Sequence, residues 1–174
     1  QSFFPLEKIP KQHLAKVWDL SDFGDERMKI DWKNIYHIHF VGIKGVAQAA
    51  LAVWAKEAGY RVSGSDVSEE FPTDSVLAQA NITVREGFSA SHVTGKYTPQ
   101  LVIYTGAHHG SENVEVVKAI EQGIPTVPHG KALGLVMQGK RQIAVAGSHG
   151  KTTVSGMIAT ILTAAGLDPS YAVG

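Results

Sequence analysis

Twice in this chain a short run of apolar and small residues breaks at glycines and passes directly into a helical pattern. The first instance is Tyr36-His37-Ile38-His39-Phe40-Val41, then Gly42-Ile43-Lys44-Gly45, then an alanine-rich stretch to about Ala58. The second is Ile143-Ala144-Val145-Ala146, then Gly147-Ser148-His149-Gly150, then a helix with apolar residues at Val154, Met157, Ile158, Ile161, Leu162 and Ala165. Such apolar runs read as buried parallel strands, and the helical spacing lays one apolar stripe against a sheet. Strand, glycine turn and helix start together make a geometry that collects phosphate. N–H groups unpaired at the helix start point at the anion, and the helix dipole adds partial positive charge there. Two such units constrain the fold to α/β, a Rossmann-like parallel sheet with flanking helices.

The residues between the two units fit that frame. Gly59 closes the first helix, and Arg61-Val62-Ser63-Gly64-Ser65 makes a second strand finishing at Asp66. This is a βαβ unit with an acid about twenty positions past the loop, as a dinucleotide fingerprint requires. Lys44 stands at the middle glycine of that fingerprint and Ala47 at its last position. A helix is expected over Thr73–Ala80 and strands over Ile82–Arg85 and Gln100–Thr105. Ser111 is expected to cap a helix through Val116, Val117 and Ile120 that closes at Gly123. A strand Ile124–Val127 and a helix from about Lys131 to Met137 follow, then a linker at Gln138-Gly139-Lys140. Ser170-Tyr171-Ala172-Val173 starts a further strand. Residues 1–34, with a short amphipathic helix near Pro10–Leu20, form an extension of no assignable role; residues 35–139 form the first domain and 140–174 the start of a second.

Composition removes several classes of function. Sixteen basic and sixteen acidic residues leave no net charge, so bulk attraction to nucleic acid is not expected. The absence of cysteine excludes disulfides and thiolate metal sites. No apolar run reaches membrane-spanning length, so no membrane insertion and a cytoplasmic location are expected. His37 and His39 share a strand face, while His108 and His109, read along a strand, face opposite ways; with no H-E-x-x-H, no histidine metal site is expected. Ala146-Gly147-Ser148-His149-Gly150 also approximates a hydrolase nucleophile elbow, but Asp168 is the only acid beyond it and no histidine follows. That reading fails for lack of partners.

The spacing of the second loop is specific. Gly147 and Gly150 enclose two residues, whereas the general phosphate loop has four. The short form G-S-H-G-K-T-T resembles the ATP loop of the Mur ligases and their folylpolyglutamate synthetase relatives. H-I-H-F-V-G-I-K-G-V, G-Y-R-V-S-G-S-D and L-V-I-Y-T-G-A extend the resemblance over Ile35 to Gly174, in the branch that joins L-alanine to UDP-N-acetylmuramate. Asn113 matches the asparagine of an N-P-E motif, with Val114 in place of its proline.

The resemblance implies a ligase whose ATP phosphorylates the lactyl carboxylate of UDP-N-acetylmuramate, after which the amine of L-alanine displaces phosphate. It implies ATP contacts at Gly147, Ser148, His149, Gly150, Lys151, Thr152 and Thr153, with Lys151 catalytic and Thr152 on magnesium. It implies that Gly42, Ile43, Lys44 and Gly45 face the substrate diphosphate, that Asp66 reaches the uridine, and that Thr105 and Gly106 border the cleft. Phe88, after Gly87, stands where the family has a uracil-stacking histidine, keeping the stacking and losing the hydrogen bond. Lys44 has a second reading, as a solvated loop lysine. The expected domain content is a UDP-sugar-binding domain and the opening strand, loop and helix of an ATP-binding domain, a fragment that binds sugar nucleotide without turnover in peptidoglycan precursor synthesis. The alternatives are a murein-peptide ligase of the recycling branch and a non-catalytic NAD-type Rossmann module.

Overall fold

The computed structural model describes residues 30, 32–138 and 141–171. The helix expected near Pro10–Leu20, the Gly139-Lys140 part of the linker and the end of the strand expected at Ser170–Val173 lie outside the described residues. Apart from Ile30, everything described belongs to one compact unit, Asp31–Gly174.

Five parallel strands form a single sheet: β1 (His37–Val41), β2 (Arg61–Asp66), β3 (Val84–Glu86), β4 (Leu101–Tyr104) and β5 (Thr126–Pro128). Their spatial order is β3-β2-β1-β4-β5, and every neighbouring pair is parallel. The chain therefore reverses direction across the sheet between β1 and β4, which opens a crevice at the carboxyl ends of those strands. The helices are α1 (Val46–Glu57), α2 (Asp74–Gln79), α3 (Val114–Glu121), α4 (His129–Met137) and α5 (Lys151–Ala164).

β1 is central, and all five of its residues are buried. Its side chains alternate between faces. Val41 packs with Val102 of β4 and with Val116 and Ala119 of α3. His39 and His37 share that face, while Ile38 and Phe40 take the other, and both are fully buried. Removing each of these two from water contributes about 1.5–3 kcal/mol. α1 buries Ala49, Ala52 and Ala55 around Leu51, and these small side chains let a helix lie close to a sheet. The helix ends at Gly59, whose φ of +91° and bond from N–H to the Lys56 carbonyl make the left-handed C-terminal turn.

Several expectations need correction. α3 is capped by Asn113, whose Oδ1 accepts from the Glu115 N–H at 3.0 Å; Ser111 lies in a 3-10 turn before it. His108 and His109 are not on a strand: both have positive φ, 52° and 69°, in the turn after β4. Residues 141–147, expected to hold a strand, have no regular secondary structure, and Ile143 is 57% exposed. A strand exists only where another strand satisfies its backbone, and among the described residues none pairs with this segment. For the same reason the apolar stripe of α5 lies open: Val154, Met157 and Ile161 are exposed, and Ala159 is the helix's one buried residue.

Candidate active site

The Gly42 loop hangs from the end of β2. The N–H groups of Gly42 and Ile43 both donate to the Ser65 carbonyl, at 2.9 and 3.2 Å. The Lys44 N–H donates to Asp66 Oδ2 at 2.7 Å, and the Thr73 hydroxyl donates to the Lys44 carbonyl at 2.5 Å. Two glycines make this loop possible. Gly42 has φ +79°, and a Cβ there would overlap the Thr105 methyl. On β2, a Cβ on Gly64 would overlap Ile43 Cδ1 and stand 2.9 Å from the Phe40 carbonyl. Gly45 occupies the N-cap of α1 with no side-chain cap, so the first-turn N–H groups of α1 are left for an anion.

Around the loop the structure gathers most of the first set of expected residues. Asp66 is buried; besides Lys44, its carboxylate accepts from the Val67 N–H at 2.8 Å and lies 3.3 Å from His108 Nε2. Phe88 is half-buried, with its ring centroid 5.2 Å from that of His108. Thr105 meets Gly42, and Gly106 is exposed next to it. Lys44 fits neither of its readings in full. It is buried, with Nζ donating to the Glu69 carbonyl at 2.7 Å and standing 3.5 Å from Asp74 Oδ1. Its ammonium is 5.8 Å from the centre of the Phe71 ring. It ties the loop to the segment between β2 and α2.

The second set spans an exposed loop, Gly147 to Gly150, and the exposed first turn of α5, Lys151 to Thr153. Gly150 is the N-cap of α5, with φ +76° and no side-chain cap. Lys151 Nζ turns back on this loop, donating to the Gly147 carbonyl at 2.8 Å and lying 3.4 Å from that of Ser148. A left-handed glycine before an uncapped helix of fourteen residues, with an ammonium held over the loop, suits a nucleotide's phosphates. Among the described residues no group of three or more acidic or histidine side chains could hold a metal ion. The Thr152 hydroxyl therefore fits magnesium only as one ligand beside phosphate oxygens and water.

A polar seam under the loop was not read from the sequence. Glu115, fully buried on α3, accepts from His39 Nε2 at 3.0 Å and the Ser65 hydroxyl at 2.5 Å through one oxygen. Through the other it accepts from the Ser89 N–H at 3.0 Å and His92 Nδ1 at 2.6 Å. Burial pulls Glu115 up, but the bonds from His39, Ser65 and Ser89 outweigh it and hold the carboxyl below its ordinary value. Ser63 bridges His39 Nδ1 and His37 Nε2, each at 2.8 Å. His37 is lowered to about 4, first by burial and then by the nearby charges of Arg61 and His39. The one legible hint was the glutamate two residues after Asn113.

Gln48 adds a loose end in the crevice: its Nε2 donates to the Val41 carbonyl at 3.1 Å, while its buried Oε1 has no partner among the described residues. A buried water is the ordinary occupant of such a position.

With this geometry in view, comparison with known proteins is specific. Residues 37–141 match the family described as Mur ligase family, catalytic domain. Over 139 residues the chain is 45% identical to the UDP-N-acetylmuramate–L-alanine ligase of Desulfitobacterium hafniense, covering 79% of this chain and 30% of that one. The ligase of that name from Neisseria meningitidis serogroup C is 41% identical over 81% of this chain and 29% of its own. The chain thus spans just under a third of these relatives. Among solved structures, the UDP-N-acetylmuramate–alanine ligase of Thermotoga maritima superposes with a TM-score of 0.64 at 33% identity, over 73% of this chain and 29% of that one. The murein peptide ligase of Psychrobacter arcticus gives 0.66 at 34%, over 75% and 27%. Sequence and overall fold agree, and the chain belongs to the Mur ligase family.

Proposed function

We propose that this chain is the nucleotide-sugar-binding part, with the opening of the ATP-binding part, of an ATP-dependent ligase that joins L-alanine to UDP-N-acetylmuramate. The observation that carries this reading is the Gly42 loop, fixed at the strand-order reversal with an uncapped helix behind it. A diphosphate fits against the first turn of α1, the ribose and base lie toward Asp66 and Phe88, and the sugar lies toward Thr105 and Gly106. Lys44, already held beside the loop, supplies positive charge to the same region.

On the second loop, Gly147 to Thr153 bind the phosphates of ATP, and Lys151 neutralises charge developing on the group being transferred. Thr152 would help hold magnesium there, which when bound would supply positive charge to the phosphates. The reaction belongs to peptidoglycan precursor synthesis, and its soluble nucleotide substrates put it in the cytoplasm. The likeness to the murein peptide ligase of Psychrobacter arcticus favours a second reading, in which the amine comes from a peptide. The residues now described bear on the sugar nucleotide, which both readings share.

Calorimetric titration with UDP-N-acetylmuramate and with NAD tests the assignment. Tighter binding of NAD overturns it. Phosphate release with ATP, magnesium, UDP-N-acetylmuramate and L-alanine should stay at background for the chain alone, because no described residue is assigned to holding an amine beside the activated carboxylate. Turnover that disappears in Lys151→Ala would show the chain to be a complete enzyme.

A further inference from the structure

His108 lies in the turn after β4. Its φ of +52° is one that a β-carbon-bearing residue seldom adopts, and the turn is locked in place by the buried Asn113, whose Nδ2 donates to the His108 carbonyl at 3.0 Å. Backbone held in a sparsely populated region by its surroundings is characteristic of sites that place a side chain for use. Here the imidazole is aimed back over the crevice. A Cβ on Gly42 would be 3.5 Å from His108 Cδ2, and the ring lies beside Phe88 with 38° between the planes. The side chain keeps 29% of its surface exposed.

The contact with Asp66 sets which ring nitrogen carries the proton. Asp66 already accepts from the Lys44 N–H on one oxygen and from the Val67 N–H on the other. An ionised carboxylate presents only lone pairs, so the His108 nitrogen that faces it at 3.3 Å, Nε2, is the one that carries the proton. In the neutral ring Nδ1 is then a bare acceptor, and among the described residues no bond to it is present. Phe88 offers a flat face and no polar atom; His108, packed against it, offers one in-plane acceptor.

We propose that His108 reads the base of the bound nucleotide, stacking with Phe88 and accepting through Nδ1 from the imide N–H of a uracil ring. This rests on the reading of the Gly42 crevice as a UDP-sugar site. Uracil presents a donor at N3, whereas cytosine presents an acceptor there, so the same imidazole welcomes one pyrimidine and opposes the other.

The test is titration of UDP and CDP into the chain, His108→Phe and His108→Asn. The parent should bind UDP roughly tenfold more tightly than CDP, the scale of one made against one opposed hydrogen bond. His108→Phe keeps the stack and should bring the two within about threefold, mainly by weakening UDP. His108→Asn, which suits positive φ, guards against a folding defect and should lose the same discrimination. Nitrogen-15 spectra of the unliganded chain should show His108 protonated on Nε2. Discrimination unchanged in both variants, or a proton on Nδ1, overturns the proposal. Tight UDP binding by the parent without preference over CDP overturns this proposal alone. No binding of UDP, CDP or UDP-N-acetylmuramate overturns the site assignment with it.

Discussion

Gly64→Ala is the substitution for which the structure gives the clearest arithmetic. The position is in β2, buried, and its new Cβ would overlap Ile43 Cδ1 while standing 2.8 Å from Ile43 Cβ and 2.9 Å from the Phe40 carbonyl. A rotamer change in Ile43 relieves only the first of these. The other two involve a branched carbon next to backbone and the backbone of the central strand, so β1 or the Gly42 loop must move. Overpacking of this kind costs about 1–3 kcal/mol. Replacing a strand glycine returns about 0.5–1 kcal/mol of chain entropy, leaving a net loss centred on about 1 kcal/mol. That corresponds to a melting temperature lower by roughly 2–4 °C for a chain of this size. Gly134 in α4 is the control, because a Cβ there meets nothing within 4 Å. Gly134→Ala should stabilise by about 0.5–1 kcal/mol. Urea denaturation followed by circular dichroism measures both, and calorimetry with UDP-N-acetylmuramate reports whether displacing Ile43 also weakens binding. If the two variants unfold at the same urea concentration, the close packing of the loop on β2 is not what requires glycine.

Three further outcomes are expected. Glu115→Ala leaves His39 and the Ser89 N–H buried without their acceptor and should cost about 3–5 kcal/mol in urea denaturation; a loss below 1 kcal/mol would mean the seam is solvated. Asn113→Ala removes the α3 cap and the anchor of the His108 carbonyl, and should cost about 1–2 kcal/mol with faster amide exchange at Glu115. Stability should fall on acidification, as follows from two lowered values. Folded His37 resists protonation until about 4, so the unfolded chain takes up the extra proton between about 6.5 and 4, and stability is full above that window. The loss from His37 is at most about 3 kcal/mol. Glu115, lowered from 4.5, adds a loss of the same sign at lower pH, because its unfolded carboxylate protonates first. Unfolding midpoints measured between pH 7 and 4 check this, and a flat profile would contradict it.

Much of the fold was legible because periodicity and glycine placement are local signals. β1, α1, the turn at Gly59 and β2 read directly from alternation and capping. What failed was information carried by partners. Ile143–Ala146 has the composition of a strand, but composition cannot supply the neighbour that a strand requires. Ser111 looked like a cap by residue type, whereas Asn113 won because its side chain reaches the Glu115 N–H while also holding the His108 carbonyl. Lys44 was legible as a departure from a fingerprint, not as a buried ammonium tied to Glu69. Glu115 was the least visible, since a glutamate in the first turn of a helix ordinarily faces water. Only the register that sets β1 against β2 gathers His39, Ser63 and Ser65 around it.

The seam beneath the loop also limits how this chain can vary. Ser63 has one hydroxyl proton and two imidazole neighbours, so whichever ring does not receive that proton must donate one. The tautomers of His37 and His39 are therefore not independent choices, and His39 in turn meets Glu115. A conservative change at one position leaves a proton facing a proton, or two lone pairs facing each other, somewhere else. Single steps through sequence space are penalised along the whole row, while wholesale exchange for apolar side chains of matching volume can be neutral. Substitutions here should succeed as sets or not at all, which makes the row a single heritable unit spread over two strands and a helix.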